Sequence, residues 1–381
     1  MTENIFFHIG TPKTGSSALQ FFLLENKEKL EKQGFLYPGL GISKRKEVNY
    51  KTRFSGNGTF VRNCLLKDQK HFTIQGKKLF QKIISLSDSS NIIISEETLF
   101  NDSNYDFYNN FIQKGRTVKV IVYLRRQDRY LESLWGYFIK VHSDFNLHFT
   151  DFVHEVQTSD AFRVDYYKRL QEISSYIGKE NIIVRAYDHL EGNIFRDFIE
   201  SIGAKWDDEF IIPKERINVK LDNRYIEVKR RINELQLLNK KIITKILFER
   251  QAKALQNSNS KNEKTLLSIE QRELLCEKYR SNNDKIEKEF LNGKKLFSYE
   301  ITREQSVLNE TEIQTEVEKI LFKLCQEQEK EIVEAKKEHI FNRLKNFIYR
   351  NIRMFLILAN IKDEENIKRF KHYKSYKDEE K

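Results

Sequence analysis

The sequence predicts an α/β chain, a three-layer parallel sheet flanked by helices, followed by a mostly helical C-terminal extension. Three observations carry that expectation. Short apolar runs with polar borders, at residues 5–9, 91–94, 118–124 and 181–184, have the length and continuity of strands buried on both faces. Segments with helical apolar spacing lie between them, and strand alternating with helix implies right-handed crossovers in a parallel sheet. Only 3 prolines and 14 glycines occur in 381 residues, which disfavours a many-stranded β architecture and favours long helices.

Taken in order, the run at residues 5–9 ends in Gly10, Thr11 and Pro12, and a helix is expected over 17–33 because Leu19, Phe22, Leu23 and Leu30 share one face. Residues 34–38 read as a second strand, and the polar stretch through Ser55, Gly56, Asn57 and Gly58 as a loop. A helix near 77–84 precedes the strand at 91–94; the strand at 118–124 leads into a helix over 128–141, marked by Leu131, Leu134, Trp135 and Phe138. A later strand at 181–184 has a helix at 194–202 behind it. Beyond Pro213 the strand signal stops, and long polar helices are expected near 224–254 and 269–290.

The domain boundary is expected near residue 300, giving an α/β domain over 1–300 and an extension over 301–381. Charge supports it: residues 303–334 hold 4 basic and 9 acidic side chains, residues 336–374 hold 11 and 4. The net charge of +11 resides mostly in the first 300 residues, which suits an anionic ligand, an anionic membrane surface or nucleic acid without choosing among them. Apolar residues at 39% and aromatics at 12% exclude a disordered chain. Cys64, Cys276 and Cys325 have no paired spacing, which fits neither a disulfide framework nor a zinc site and suggests a reducing compartment. The N-terminus lacks a basic leader and the longest apolar run, 354–359, cannot span a bilayer, so a soluble cytoplasmic chain is expected.

The most informative segment runs from His8 to Gln20. A strand that turns through glycine and proline into a helix directs unpaired N–H groups and the positive helix end at whatever occupies the turn, which makes an anion site. Gly10 and Gly15 have the spacing of a Walker A loop, but Ser16 stands where that motif has lysine, and the lysine here is Lys13. One ammonium within the turn can neutralise a group lying across it, with Ser16 and Ser17 adding hydroxyl donors.

Pro12, Lys13, Thr14, Gly15, Ser16 and Ser17 on such a P-loop-like turn resemble the 5′-phosphosulfate loop of the sulfotransferases, whose donor is 3′-phosphoadenosine-5′-phosphosulfate (PAPS). Arg125 at a strand end, with Ser133 eight positions on along the next helix, resembles the family's 3′-phosphate motif. The Arg125, Arg126, Gln127, Asp128 form and Trp135 look more like the bacterial polysaccharide-type branch than the animal cytosolic one. The segment from Ile92 to Leu99 resembles the strand that delivers the family's catalytic base, here Glu97, with Glu96 as the competing acid. His8 is another candidate base, but a histidine on a first strand is more often packed in the core. Further matches run through Arg185 to Asp188, Arg196 to Gly203, Ile217 to Leu221, Ser281 to Asn283, and Leu296 with Phe297, so the resemblance covers about residues 4–298. The Arg-x-Pro form of the phosphate motif is absent, and no His pair follows Pro38.

The resemblance implies transfer of a sulfuryl group from PAPS to a hydroxyl, on a carbohydrate such as a bacterial cell-surface glycan. Lys13 and Glu97 or Glu96 would be catalytic, residues 12–17 with Arg125 and Ser133 would bind the donor, and no metal would be required. A P-loop nucleotide or sugar kinase is the rival enzyme, weakened by the missing Gly-Lys-Ser/Thr; a basic module for membrane or nucleic acid is the non-catalytic rival, and no RNA- or DNA-binding motif supports the nucleic-acid form. In the tail, Phe341, Leu344, Phe347, Ile348, Ile352, Phe355 and Leu356 form an apolar stripe flanked by basic residues. Packing on the domain or on a second subunit is the plainer expectation for it, and peripheral contact of residues 336–361 with an anionic membrane the functional one.

Overall fold

The computed structural model describes residues 4–39, 56–58, 75–86, 90–102, 105–159, 163–190, 193–213, 221–235, 240–257, 265–300 and 308–336. Its centre is a five-stranded, all-parallel sheet in the order β2-β3-β1-β4-β5, formed by β1 (Asn4–His8), β2 (Phe35–Leu36), β3 (Asn91–Ser95), β4 (Thr117–Leu124) and β5 (Ile182–Ala186). Ile5 pairs with Ile92 on one side and Val118 on the other, and His8 with Ser95 and Ile121. The strand order reverses across β1, and in such sheets ligands bind beyond the carboxyl ends at the reversal.

Alternation of side chains along the strands builds the two apolar layers. Ile5, Phe7, Ile92, Ile94, Val120 and Val122 face one layer, with Tyr166, Leu170, Ile173 and Ile286 packed on them. Phe6, Ile93, Ile121 and Tyr123 face the other, against Leu19, Phe22, Leu23, Phe198 and Ile199. Phe7 and Phe22 are wholly buried, and truncating either to alanine should cost about 3–5 kcal/mol.

Helices α1 (Ser16–Glu25) and α2 (Lys27–Lys32) replace the single helix expected over 17–33. The break falls at Asn26, whose side-chain amide donates to the Phe22 carbonyl (2.8 Å) and the Ile211 carbonyl (2.9 Å) while its oxygen accepts from Ile211 N (2.8 Å). An asparagine bonded in this way competes with the helix ladder, and its partner is remote in sequence. Helix α3 (Gln75–Leu86) precedes β3; α4 (Phe107–Ile112) precedes β4, and α5 (Gln127–Val141) follows it. Two helices absent from the expected element order, α6 (Phe149–Ser159) and α7 (Tyr166–Ile177), come before β5, and α8 (Ile194–Ser201) after it; α6 and α7 both carry helical apolar spacing, at Phe149, Phe152 and Val156 and at Tyr166, Leu170, Ile173 and Ile177. The expected helix at 224–254 is two, α9 (Asn223–Glu234) and α10 (Lys240–Asn257), whereas α11 (Ile269–Phe290) has the expected bounds, opened by a Ser268/Gln271 capping box. Helix α12 spans Glu310–Lys336.

The chain divides into two compact units. The described residues within 1–137, 148–213 and 265–300 form the first, which contains the sheet; those within 138–147, 221–257 and 308–336 form the second. Residues 221–235 and 240–257, expected to belong with the first 300, cluster with 308–336. Within the second unit Asn233 donates to the carbonyls of Ile139 (3.1 Å), His142 (3.2 Å) and Phe145 (2.8 Å), and Arg230 pairs with Glu227 at 2.7 Å. Among the described residues no helix is long and apolar enough to cross a membrane. The apolar stripe of the tail lies outside the described residues, as do Ile217 to Lys220.

Candidate active site

The turn after β1 is held by backbone and side-chain bonds. Thr11 N donates to the Tyr123 carbonyl (2.9 Å), Tyr123 N to the Gly10 carbonyl (2.7 Å), and the Thr14 hydroxyl to the Thr11 carbonyl (2.6 Å). Thr14 is buried, so its side chain closes the loop from within. Gly10 has φ +105°, and a Cβ there would lie 2.6 Å from the Glu97 carbonyl oxygen; only glycine permits the loop to pass this close to the end of β3. Lys13 also has positive φ, 68°, an uncommon conformation for a residue with a side chain. Gly15 (φ 80°) is the N-cap of α1.

That N-cap offers no side-chain acceptor, and the first turn of α1 carries no acidic residue. By contrast α7, α8, α9 and α11 are each capped by the side chain of Asp165, Asn193, Asp222 or Ser268. The first N–H groups of α1 therefore retain donor capacity toward an anion. Ser16 is 2% exposed and its Oγ has no hydrogen-bond partner among the described residues. Pro12, Lys13 and Ser17 are partly exposed. The Lys13 ammonium lies 4.9 Å from the centroid of the Tyr137 ring on α5.

Strand β3 stops at Ser95, so strand alternation does not decide between the two acids that follow. Glu96 caps the 3-10 turn Glu97–Asn101, and its Oε1 accepts from Thr98 N (3.2 Å) and the Thr98 hydroxyl (2.6 Å). Glu97 opens that turn and stays partly exposed. Its carboxyl is raised above the usual range by burial and by the Glu96 charge, against the lowering influence of the Ser16 hydroxyl and the Lys13 ammonium. The hydroxyl lies close enough to influence the carboxylate without completing a hydrogen bond in good geometry. Glu97, Lys13 and Ser16 thus form one electrostatic group.

At the end of β4 the two arginines take different directions. Arg125 turns to the loop, its Nη1 3.4 Å from the Lys13 carbonyl, its Nε 3.8 Å from Asp188 Oδ1 and its guanidinium 5.8 Å from the Tyr187 ring centroid. Its Nε has no hydrogen-bond partner in good geometry among the described residues. Arg126 is 3% exposed and structural: it holds both carboxylate oxygens of Asp128 (2.7 and 2.9 Å) and the Ser298 carbonyl (2.6 Å). Ser133 lies on α5, partly exposed, and makes no hydrogen bond to Arg125. Its hydroxyl and the Arg125 side chain are therefore not joined directly.

Three contributors escaped the sequence reading. Asp188, just past β5, accepts from Arg126 N (2.9 Å) and pairs with Arg125 and with Arg129 (3.3 Å), gathering the basic groups at the end of β4. Tyr187 packs on Gly15, where an added Cβ would meet its ring at 3.5 Å. Asn57, fully buried, accepts from Ser95 N (2.9 Å) and donates to the carbonyls of Ile93 (2.8 Å) and Pro38 (3.1 Å), continuing the ladder beside β3 where β2 has ended. The sequence signal is an asparagine between two glycines; the structure explains the glycines, since a Cβ on Gly56 or Gly58 would lie 2.7 or 2.5 Å from the Ser95 carbonyl oxygen.

His8 packs as expected of a core histidine. It is wholly buried, its Nδ1 is 2.8 Å from Ser95 Oγ, and Tyr123 and Phe198 meet its ring edge-on at 5.8 and 5.9 Å. Burial lowers its pKa to about 3, so the ring is neutral at physiological pH. Among the described residues no group of three or more His, Cys, Asp or Glu side chains is arranged to hold a metal ion.

No family model matches the chain. It is similar to an uncharacterized protein of Archaeoglobus fulgidus, 29% identical over 245 residues that cover 60% of this chain and 62% of that protein, so it spans less than two thirds of the relative's length. Among solved structures it is similar to a sulfotransferase from Alicyclobacillus acidocaldarius (TM-score 0.35, 13% identity, covering 60% of this chain and 91% of that one). A second is the sulfotransferase domain from the curacin biosynthetic pathway (TM-score 0.33, 10% identity, covering 56% and 78%). These overlaps are loose, and the chemistry open to the site is set by its own residues.

Proposed function

We propose that this chain is a cytoplasmic sulfotransferase that moves a sulfuryl group from PAPS to a hydroxyl of a carbohydrate, with a bacterial cell-surface glycan as the acceptor class. The observation that carries the reading is the grouping of Glu97, Lys13 and Ser16 beside the uncapped start of α1, with Arg125 bonded back to the Lys13 carbonyl. This provides two adjoining anion sites and one carboxylate beside them.

The residues present fit such a donor. Ser16 Oγ and Arg125 Nε are buried with no hydrogen bond in good geometry among the described residues, and Gly10 and Gly15 supply the positive φ that the loop needs before the uncapped start of α1. When bound, PAPS supplies an activated sulfuryl group and a phosphate leaving group. The α1 N–H groups, Ser16 and Ser17 would hold its 5′ side, and Arg125 with Ser133 its 3′-phosphate. Lys13 neutralises negative charge that grows on the leaving side, the type of electrostatic contribution usually largest in such reactions. Glu97 takes the proton of the acceptor hydroxyl; a carboxyl raised by burial is better matched to that work near neutral pH than an ordinary one. Glu96 holds the turn through Thr98 and has the supporting part.

The test has two arms. Calorimetry should show that 3′,5′-adenosine bisphosphate binds and ATP does not, and labelled PAPS should pass its sulfate to glycan acceptors in the absence of metal. Selective retention of ATP would favour a kinase, and retention of neither nucleotide would remove the enzymatic reading.

A further inference from the structure

We infer that Tyr166 and Arg169, one turn apart on α7, are a pair of positioning residues that set the base-bearing turn against the donor-binding end of β4; the inference rests on the functional reading above. Two backbone carbonyls leave regular structure at the site. Phe100 belongs to the turn that Glu97 opens, and Arg125 is the first residue past β4. Buried carbonyls of this kind need donors supplied from elsewhere. One face of α7 supplies a donor to each: Arg169 Nε donates to the Phe100 carbonyl at 2.7 Å, and the Tyr166 hydroxyl to the Arg125 carbonyl at 2.9 Å. Residues three apart on a helix are neighbours, so the helix holds the two carbonyls in a fixed relation.

Both side chains are 1% exposed and face away from solvent, which places them behind the site. The Tyr166 ring meets Phe100 edge-on at 5.9 Å and Tyr130 at 6.2 Å, so it touches both the base turn and the first turn of α5. The Arg169 guanidinium lies 4.8 Å from the Tyr105 ring centroid, and the Tyr105 hydroxyl bonds the Leu99 (3.0 Å) and Phe100 (3.2 Å) carbonyls. Glu172 neutralises Arg169 from the next turn of the same helix. Arg169 therefore acts through the turn that carries Glu97, and Tyr166 through the residue whose guanidinium faces the donor. Neither is a catalytic residue.

This division predicts opposite kinetic signatures. Displacing a catalytic group slightly costs rate while the donor pocket stays intact, so Arg169→Met should lower kcat about 100-fold, and Arg169→Lys only several-fold, with affinity for 3′,5′-adenosine bisphosphate kept within about twofold. Tyr166→Phe keeps the ring and removes one buried hydrogen bond, so it should weaken that affinity about five- to tenfold and leave kcat at saturating PAPS within about twofold. Calorimetry with the bisphosphate and steady-state sulfate transfer give both readouts on the full chain. The pair is overturned if the Lys and Phe variants lower kcat and affinity in equal proportion, or if either loses only melting temperature. Should Arg169→Met fail to fold, an Arg169→Lys variant with wild-type kcat overturns it as well. Wild-type protein that binds no bisphosphate and transfers no sulfate would instead remove the functional reading, and the pair's assignment with it.

Discussion

Replacing Asp128 by Asn should destabilise the protein strongly at neutral pH and progressively less in acid. Asp128 is wholly buried at the start of α5, held bidentately by Arg126 at 2.7 and 2.9 Å and paired with Arg272, which also binds Glu132 at 2.8 Å. Burial alone would raise its pKa, but the two guanidinium groups override burial and hold it at about 2, below its ordinary 3.8. A folded-state pKa below the unfolded one stabilises the fold above the unfolded pKa, and the contribution is lost as pH falls through the folded pKa. That difference is worth about 2 kcal/mol. That amount is part of the whole cost, because the substitution also leaves two buried arginines facing a neutral amide, and breaking such pairs typically costs about 3–5 kcal/mol in all. Urea unfolding of wild type and Asp128→Asn should therefore differ by about 3–5 kcal/mol at pH 7, with the gap narrowing between pH ~4 and ~2. A variant within about 0.5 kcal/mol of wild type at pH 7 would refute the ion cluster as an anchor of the β4–α5 turn. So would a gap that stays constant down to pH ~2.

Other expectations concern the site itself. Lys13→Ala should cut turnover by about two to three orders of magnitude with a small change in acceptor KM, and initial-rate sulfate transfer measures both. Glu97→Gln should abolish the limb of the pH–rate profile on which activity rises with pH, a limb placed above the ordinary carboxylate range by burial. Because a raised folded-state pKa stabilises only below the unfolded pKa and that stability is lost as pH rises through the folded value, the same variant should melt higher than wild type at pH 7 and equally at pH ~4. Gly10→Ala should disrupt donor binding, since its Cβ would fall 2.6 Å from the Glu97 carbonyl oxygen at a φ of +105°; unchanged calorimetric affinity would show that the loop can move aside.

What the sequence disclosed and what it withheld separate by the range of the interaction. Strands bounded by polar residues and the Gly10-to-Ser17 turn are local patterns, and the parallel sheet and the strand-to-helix loop follow from them. The bounds of α11 were legible because a capping box and apolar spacing are local too. The break at Asn26 was not, because its side chain is bonded to Ile211, 185 residues away. Helix α7 has a legible apolar stripe in Tyr166, Leu170, Ile173 and Ile177, but the burial of Arg169 and the bonds of Tyr166 and Arg169 to the Arg125 and Phe100 carbonyls are not local and could not be read. Composition alone does not separate Arg125 from Arg126; the resemblance singles out Arg125, and the structure shows why the second is not available, since Asp128 and Ser298 hold it. Glu96 and Glu97 are likewise separated only by where β3 stops and by which of them bonds Thr98.

The central claim is that Arg125, beside the Lys13 loop, binds the 3′-phosphate of a PAPS-type donor. Isothermal calorimetry with 3′,5′-adenosine bisphosphate and with 5′-AMP, on wild type and Arg125→Ala, tests it most directly. Wild type should prefer the bisphosphate, and Arg125→Ala should lose about 2–4 kcal/mol of bisphosphate binding while its affinity for 5′-AMP stays near that of wild type. Equal affinity of wild type for the two nucleotides, or an Arg125→Ala variant that binds the bisphosphate as tightly as wild type, would contradict it.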